Sequence, residues 1–248
     1  MGLAESPWRW RALCLPKHGH AREECEDAWA ADPAAGRFAV ADGASECAFA
    51  PLWARLLTGA YVAAPRPGDV AAWLPGPRCR WREGVAGLRL PWYGDAKREE
   101  GAFATFLGLD LRPPAAERPG GWDAVAVGDT CLVRVRRHHV QAFPVARAAD
   151  FDRQPALLAS RGGSVPELVR CAGSLRRGDR LLLMTDALAR WFLTAWEMGE
   201  CPWDELAPLL VSPEGLFAVW VAGLRSAGDL RDDDVTLLSI ELPSTGEV

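Results

Sequence analysis

The stretch RFAVADGASE, residues 37–46, predicts a short buried strand that ends in an Asp-Gly pair and leads into a helix. Residues 38–41 supply the apolar strand, and Ser45 is placed as the N-cap of a helix over residues 46–63. The strand would fix the carboxylate of Asp42, and Gly43 would let its own carbonyl approach the same ion. The stretch is therefore a candidate half of a metal site.

The Asp-Gly pair also has an ordinary interpretation, because Asp-Gly between two elements is usually a turn. The helix after it is predicted to be amphipathic, with an apolar face of Phe49, Trp53, Leu56, Leu57 and Tyr61. A metal site would need further oxygen ligands from other parts of the chain.

The composition is typical of a soluble globular protein of one domain over residues 1–248, with 49% hydrophobic and 25% charged residues. No apolar run reaches about 18 residues, so we expect no membrane span. The net charge of −5 argues against a nucleic-acid partner. Seven cysteines without a CxxC pair indicate a reducing environment, and we expect a cytoplasmic monomer.

Further apolar runs predict strands and helices that occur in blocks along the chain, which is the pattern of an α+β layered domain. The strands are predicted over residues 8–15, 102–111, 122–127, 130–136, 138–143, 180–185 and 235–242. Helices are predicted after Asp186 and over residues 203–210 and 213–226, with a broken helical segment over residues 65–100. Residues 151–179 carry no clear pattern.

Acidic residues recur at the ends of the predicted strands. Asp42 and Asp186 each follow a buried strand, Asp233 precedes another, and Glu26 comes shortly before the strand of Asp42. Converging carboxylates repel one another unless divalent cations neutralise them, and oxygen ligands favour Mg²⁺ or Mn²⁺ over zinc. Taken singly, each acid has an ordinary role as a helix cap, a turn residue or a surface residue.

The order of these motifs resembles the metal-dependent protein phosphatases of the 2C type (PP2C, PPM) in their compact bacterial form. The resemblance spans residues 10–242 and is carried by six segments. They are REECEDA at 22–28, VADG at 40–43, GAFAT at 101–105, VGDT at 127–130, GDRLLLMTD at 178–186 and DDVT at 233–236.

The resemblance implies a four-layer α-β-β-α sandwich, in which two antiparallel sheets are flanked by helices, with Mn²⁺ or Mg²⁺ at one end. It implies that Asp42 bridges two ions, the Gly43 carbonyl binds one, and Asp186 and Asp233 hold the other. Glu26 would act through water, and Asp129 would help to bind a third, weaker ion. Arg22 would grip the substrate phosphate.

The implied activity is that of a serine/threonine protein phosphatase opposing a kinase, with a hydroxide bridging the two ions as the nucleophile. The chain departs from the family at four positions, Ala44, Ser45, Ala187 and Asp234, and Ala44 replaces a histidine thought to protonate the leaving group. A catalytically inactive binding or regulatory module is therefore an alternative, and so is hydrolysis of a small phosphate ester. His18 and His20, in a polar loop, are interpreted as solvated, with metal binding or proton donation as alternatives.

Overall fold

The structure is a computed structural model that describes residues 7–45, 47, 49–65, 68–88, 94–115, 118–151, 154–162 and 164–242. Its described strands are β1 (Arg9–Leu15), β2 (Ala28–Asp32), β3 (Arg37–Gly43), β4 (Phe103–Arg112), β5 (Gly120–Val127), β6 (Cys131–Arg136), β7 (His139–Phe143), β8 (Leu158–Ala159), β9 (Val169–Leu175), β10 (Arg180–Met184) and β11 (Val235–Glu241). Its described helices are α1 (Ala50–Ala63), α2 (Val70–Trp73), α3 (Pro75–Ala86), α4 (Gly94–Glu100), α5 (Asp186–Glu197), α6 (Pro202–Val211) and α7 (Glu214–Ala227).

The strands form two antiparallel sheets. The first has the order β1-β11-β10-β6-β7, and the second has the order β2-β3-β4-β5-β9 with β8 beside β4. Every pairing between these strands is antiparallel. The two-sheet arrangement predicted from the motifs is therefore confirmed.

Three apolar cores separate the four layers. One lies between the sheets, where Phe38 and Leu109 of the second sheet are grouped with Leu183 of the first. A second core joins the outer face of the first sheet to α5, α6 and α7. A third joins the outer face of the second sheet to α1, α2 and α3. The layers follow the predicted α-β-β-α order. Among the described residues, no helix is both long and apolar enough to span a bilayer.

The strand β10 shows why the sequence forms this arrangement. Its run from Leu181 to Met184 is at most 1% exposed, because one face meets the other sheet and the opposite face meets helices. The following helix, α5, places Leu188, Trp191, Phe192 and Ala195 on one face at helical spacing. A continuous apolar strand followed by an amphipathic helix therefore supplies two layers in succession.

The start of α1 corrects the sequence prediction. The helix begins at Ala50 with Phe49 as N-cap, so Ser45 does not cap it, and Glu46 lies outside the described residues. Pro51 explains the later start, because its ring would clash with the carbonyl four residues earlier if the helix continued upstream. The described residues between β3 and α1, at 44, 45, 47 and 49, are instead irregular.

Three strands were missing from the prediction, namely the edge strands β2 and β9 and the two-residue strand β8 beside β4. Residues of β9 fall in the segment without a clear pattern, and its burial explains why, since most of the strand is exposed and only Leu175 is fully buried. The short strand β2 is rich in alanine and lies at the opposite edge of the same sheet. Edge strands need no strong apolar alternation, so their sequence signal is weak.

The register of the strands brings the acidic residues to one end of the sandwich. Met184 at the end of β10 pairs with Cys131 at the start of β6 and with Leu237 near the start of β11. In the second sheet, Asp42 near the end of β3 pairs with Thr105 near the start of β4. The ends of β3, β5 and β10 and the start of β11 thus share one edge.

We predict that Leu109→Ala lowers the free energy of unfolding by about 2–5 kcal/mol, because it opens a cavity between the sheets. Leu216→Ala makes the same chemical change on the exposed side of α7 and should alter this free energy by less than about 0.5 kcal/mol. Urea denaturation followed by tryptophan fluorescence measures both. Equal losses in the two variants would contradict the described packing.

Candidate active site

The shared strand edge opens into a cavity of about 730 Å³. Four aspartates line it, Asp42, Asp129, Asp186 and Asp233, together with Gly43. Among the described residues, the cations in its lining are Arg190 and Arg231, and Phe151, Gln154, Pro155 and Leu157 form part of its wall. The fold therefore brings together five of the residues that the motifs proposed as metal ligands.

The backbone around Gly43 fixes the position of Asp42. The Gly43 N–H donates to the Glu26 carbonyl over 3.2 Å, and the Ala44 N–H donates to the Phe103 carbonyl over 2.9 Å. A Cβ at position 43 would lie 2.8 Å from the Glu26 carbonyl oxygen and 2.9 Å from the Ala50 Cβ. Only glycine fits here without displacing the backbone, which explains the glycine of the Asp-Gly pair.

The carboxyl of Asp42 lies in an unfavourable place for a negative charge. Burial raises the pKa of Asp42 well above its ordinary value, and the negative charges of Asp186, Asp233 and Asp129 raise it further. A divalent cation would remove this penalty, since it neutralises several carboxylates at once. The electrostatics of Asp42 therefore fit a cation site.

Asp186 is the first residue of α5, and its Oδ1 accepts the N–H of Ala187 over 2.6 Å. Its other oxygen, Oδ2, accepts from Nη2 of Arg231 over 2.6 Å, and the same nitrogen donates to Oδ2 of Asp233 over 2.5 Å. Burial raises the pKa of Asp186, and the nearby Arg231 charge opposes that rise. A guanidinium thus joins the two carboxylates that the motifs assigned to one metal ion.

Asp129 lies in the tight turn between β5 and β6. The turn needs Gly128, which has a φ of 86° and whose Cβ would lie 2.6 Å from a side-chain carbon of Thr105. Behind the turn, the hydroxyls of Thr105 and Thr130 share a hydrogen bond of 2.6 Å. Asp129 is 5% exposed and raises the pKa of Asp42, so the two carboxylates interact.

Glu26 and Arg22 are held by other partners. Oε2 of Glu26 accepts from Nζ of Lys17 over 3.1 Å and from the Ser45 hydroxyl over 2.6 Å. Arg22 lies in a short 3-10 helix, and its side chain, which is 72% exposed, meets Glu214 over 3.5 Å. Among the described residues, neither Glu26 nor Arg22 belongs to the lining of the acidic cavity.

Asp234, at the position where the family has asparagine, is buried and binds backbone groups. Its Oδ1 accepts the N–H of Lys17 over 2.7 Å, and its Oδ2 accepts the N–H of Glu26 over 2.6 Å. These bonds attach the segment before β2 to the start of β11. The acidic side chain therefore has a clear role in positioning the chain, separate from any metal.

Asp27, immediately before β2, is 6% exposed and lies beneath the site. Its Oδ2 accepts from the Thr185 hydroxyl over 2.9 Å. Burial raises the pKa of Asp27 well above its ordinary value, with a further rise from the charge of Asp42. Thr185 also accepts the Thr236 N–H over 3.0 Å, so Asp27 supports the junction of β10 and β11.

The residue types fit divalent cations, but their arrangement fits only in part. In the described ranges, no three His, Cys, Asp or Glu side chains are placed to hold one metal ion together. The contacts above account for this, since Arg231 joins Asp186 to Asp233 while Glu26 bonds to Lys17 and Ser45. His18 and His20 are both exposed residues of the loop after β1.

Arg231 is a charged residue of this site that the motifs did not identify. It stands in the segment DLRDDDVT, immediately before three aspartates. A single cation inside an acidic run is a usable signal for an internal ion pair, but the sequence does not say which acids it meets. One of its two partners, Asp186, is 45 residues away in the chain.

Comparison with solved structures places this architecture among known proteins. PppA, described as a key regulatory component of T6SS in Pseudomonas aeruginosa, is 20% identical with a TM-score of 0.60, covering 94% of this chain and 97% of PppA. The Mycobacterium tuberculosis serine/threonine phosphatase PstP/Ppp is 19% identical with a TM-score of 0.59, covering 96% of this chain and 99% of that one.

The catalytic domain of PstP in complex with two manganese ions is also similar, at 19% identity and a TM-score of 0.60, covering 94% of this chain and 97% of that domain. No protein-family model matches the chain, and no curated protein matches it either. The chain has the fold of the PPM phosphatases, as its ordered motifs predicted. At these identities the likeness establishes the fold alone.

We predict that Asp42→Asn raises the thermal stability of the protein in EDTA at neutral pH. The pKa of Asp42 is higher in the folded chain than in the unfolded chain, so its ionised form weakens the folded state. This penalty is absent at pH values below the ordinary aspartate pKa of about 4 and grows as the pH rises.

Unfolding scans from mildly acidic to mildly alkaline pH should therefore show the largest gain of the variant over wild type at the alkaline end. Asp204→Asn, in the exposed first turn of α6, is the control and should give no such gain. A variant that is less stable than wild type at neutral pH in EDTA would contradict the electrostatic account of Asp42.

We predict that Asp234→Ala lowers the free energy of unfolding by roughly 2–4 kcal/mol, because it leaves two backbone N–H groups without their acceptor. Asp232→Ala removes an exposed carboxylate that accepts one N–H from His18, and should cost less than about 1 kcal/mol. Chemical denaturation measures both. Losses of the same size would show that Asp234 does not position the chain as described.

Proposed function

We propose that the chain is a metal-dependent serine/threonine protein phosphatase with a single PPM-type domain. The observation that carries the proposal is the cavity lined by Asp42, Asp129, Asp186 and Asp233 at the strand ends of a PPM fold. A cluster of four carboxylates around one cavity has no evident use in packing and is well suited to cation binding. The substrate would be a phosphorylated protein, and the chain would oppose a kinase in the cytoplasm as a monomer.

In this proposal the two halves of the site bind different metal ions. Asp42 and the Gly43 carbonyl would hold the first Mn²⁺ or Mg²⁺, and Asp186 and Asp233 would hold the second together with Asp42. Glu26 would contribute through water, and Asp129 would assist a third, weaker ion. When bound, such ions lower the pKa of water and neutralise developing charge on phosphate oxygens.

Other features of the chain fix the position of Asp42 and supply a positive charge for the substrate phosphate. The hydrogen bonds of Gly43 and Ala44 fix the end of β3, so that Asp42 faces the cavity from a rigid strand. Arg22 is the proposed phosphate-binding residue, and its exposed guanidinium, held only loosely by Glu214, is free to turn towards a substrate. Ala44 offers no proton, so a leaving alcohol would take its proton from water.

A second candidate function is that of a PPM-like binding or regulatory module without catalysis. The contact of Arg231 with both Asp186 and Asp233 favours it, because an internal cation already satisfies these two carboxylates. The similar protein PppA is described as a regulatory component, which is compatible with such a role on this fold. The intact acidic lining of the cavity favours the enzyme.

We predict that the chain releases phosphate from a phosphothreonine peptide in Mn²⁺ or Mg²⁺ and not in EDTA. Asp42→Ala should reduce this rate by more than about 100-fold, since even changes beyond the direct ligands of a metal commonly cost about 10- to 100-fold. Asp123→Ala, a change on β5 at a carboxylate paired with Arg112, is the matched control and should retain the wild-type rate. Malachite-green phosphate detection measures each rate.

The same assay distinguishes the candidates. Metal-dependent release that survives Asp42→Ala would contradict the proposed site. No release with any metal, combined with Mn²⁺ binding in calorimetry, would favour the binding module. Faster turnover of a small phosphate ester than of phosphopeptides would instead move the substrate class away from proteins.

A further inference from the structure

The guanidinium of Arg231 lies between two carboxylates of the acidic cavity. A single nitrogen, Nη2, donates to Oδ2 of Asp186 over 2.6 Å and to Oδ2 of Asp233 over 2.5 Å. These are charge-assisted hydrogen bonds, which are stronger than those between neutral groups. The two facing oxygens of the carboxylates therefore already share one positive partner.

The segment between α7 and β11 holds this guanidinium in place. Leu230, immediately before Arg231, is buried in the outer core of the first sheet. On the other side, the Asp233 carbonyl accepts from Arg225, and Asp234 is tied to backbone N–H groups. The backbone is thus fixed on both sides, while the Arg231 side chain itself is 53% exposed and has space to leave.

An ion bound by the same two oxygens would need the space that Nη2 occupies. Magnesium lies about 2.0–2.1 Å from each oxygen ligand, so an ion shared by both Oδ2 atoms would overlap the nitrogen. The guanidinium also cannot lose its charge at any ordinary pH, so it would repel a cation placed beside it. Arg231 and a shared metal ion therefore exclude each other.

We propose that Arg231 is a built-in competitor for the metal ion of Asp186 and Asp233, so that this ion binds only when the guanidinium swings out into solvent. The hydrogen bonds of the guanidinium go to Asp186 and Asp233, so the second ion is the one that Arg231 opposes directly. Metal occupancy, and with it any activity, would then be limited by the second ion. The inference rests on the proposed function for the identity of the ion.

The test is a Mn²⁺ titration of the full chain by calorimetry, with free Mn²⁺ followed in parallel by electron paramagnetic resonance. Arg231→Gln should bind the second ion at least about 10-fold more tightly than wild type, because it removes both the group that occupies the ion's place and the positive charge that repels the ion. Arg190→Gln is the matched control, because it removes the same charge from the lining of the same cavity. It should show the wild-type affinity for the second ion.

A second measurement covers the case in which Arg231→Gln does not fold. In the wild-type chain, side-chain nitrogen resonances of arginine are followed by NMR during a titration with diamagnetic Mg²⁺. The guanidinium signal that disappears in Arg231→Lys is assigned to Arg231, and we expect it to shift as Mg²⁺ binds. A signal that stays unchanged at saturating Mg²⁺ would overturn the proposal.

The titration separates this inference from the proposed function. Equal Mn²⁺ affinities in wild type, Arg231→Gln and Arg190→Gln would overturn the competition, while phosphate release could still establish the enzyme. Failure of all three to bind Mn²⁺ would overturn both. Tighter binding in Arg231→Gln without phosphate release would support the competition and contradict the enzyme.

Discussion

The carboxyl of Asp42 sets the main constraint on this structure. It stands at the end of a central strand, close enough to Asp129, Asp186 and Asp233 for their charges to raise its pKa. The fold cannot relieve this by moving the strand, because Gly43 is packed against the Glu26 carbonyl and Ala50. A cation would relieve the repulsion among these carboxylates. Two cations can do so, a bound metal ion and the nearby guanidinium of Arg231.

Much of the fold was predictable because its central strands are buried on both faces. Runs such as the one from Leu181 to Met184 predict strands that are covered on both faces, and the resemblance carried by the ordered motifs implied the four-layer sandwich. The edge strands β2 and β9 were not predictable in this way, since they bury little. The start of α1 was misplaced although Pro51 carries a usable signal against an earlier start.

The acidic residues of the site could be predicted from the sequence, but the groups that they hydrogen-bond to could not. The sequence places Asp42, Asp186 and Asp233 at strand ends, and the register of the sheets brings them to one cavity. It does not reveal that Arg231 would bond to two of them, because such contacts depend on a loop that joins elements distant in the chain. Asp234 illustrates the same limit, since the sequence shows only a departure from the family pattern, whereas the structure shows that its carboxylate accepts two backbone N–H groups.

The account depends on a cation beside Asp42, and a crystal structure of the chain grown with Mn²⁺ tests this most directly. Anomalous diffraction at the manganese edge identifies the ion without reference to its surroundings. We expect an anomalous peak within coordination distance of the Asp42 carboxylate and the Gly43 carbonyl. Manganese peaks at other places on the protein, with none beside Asp42, would contradict the account.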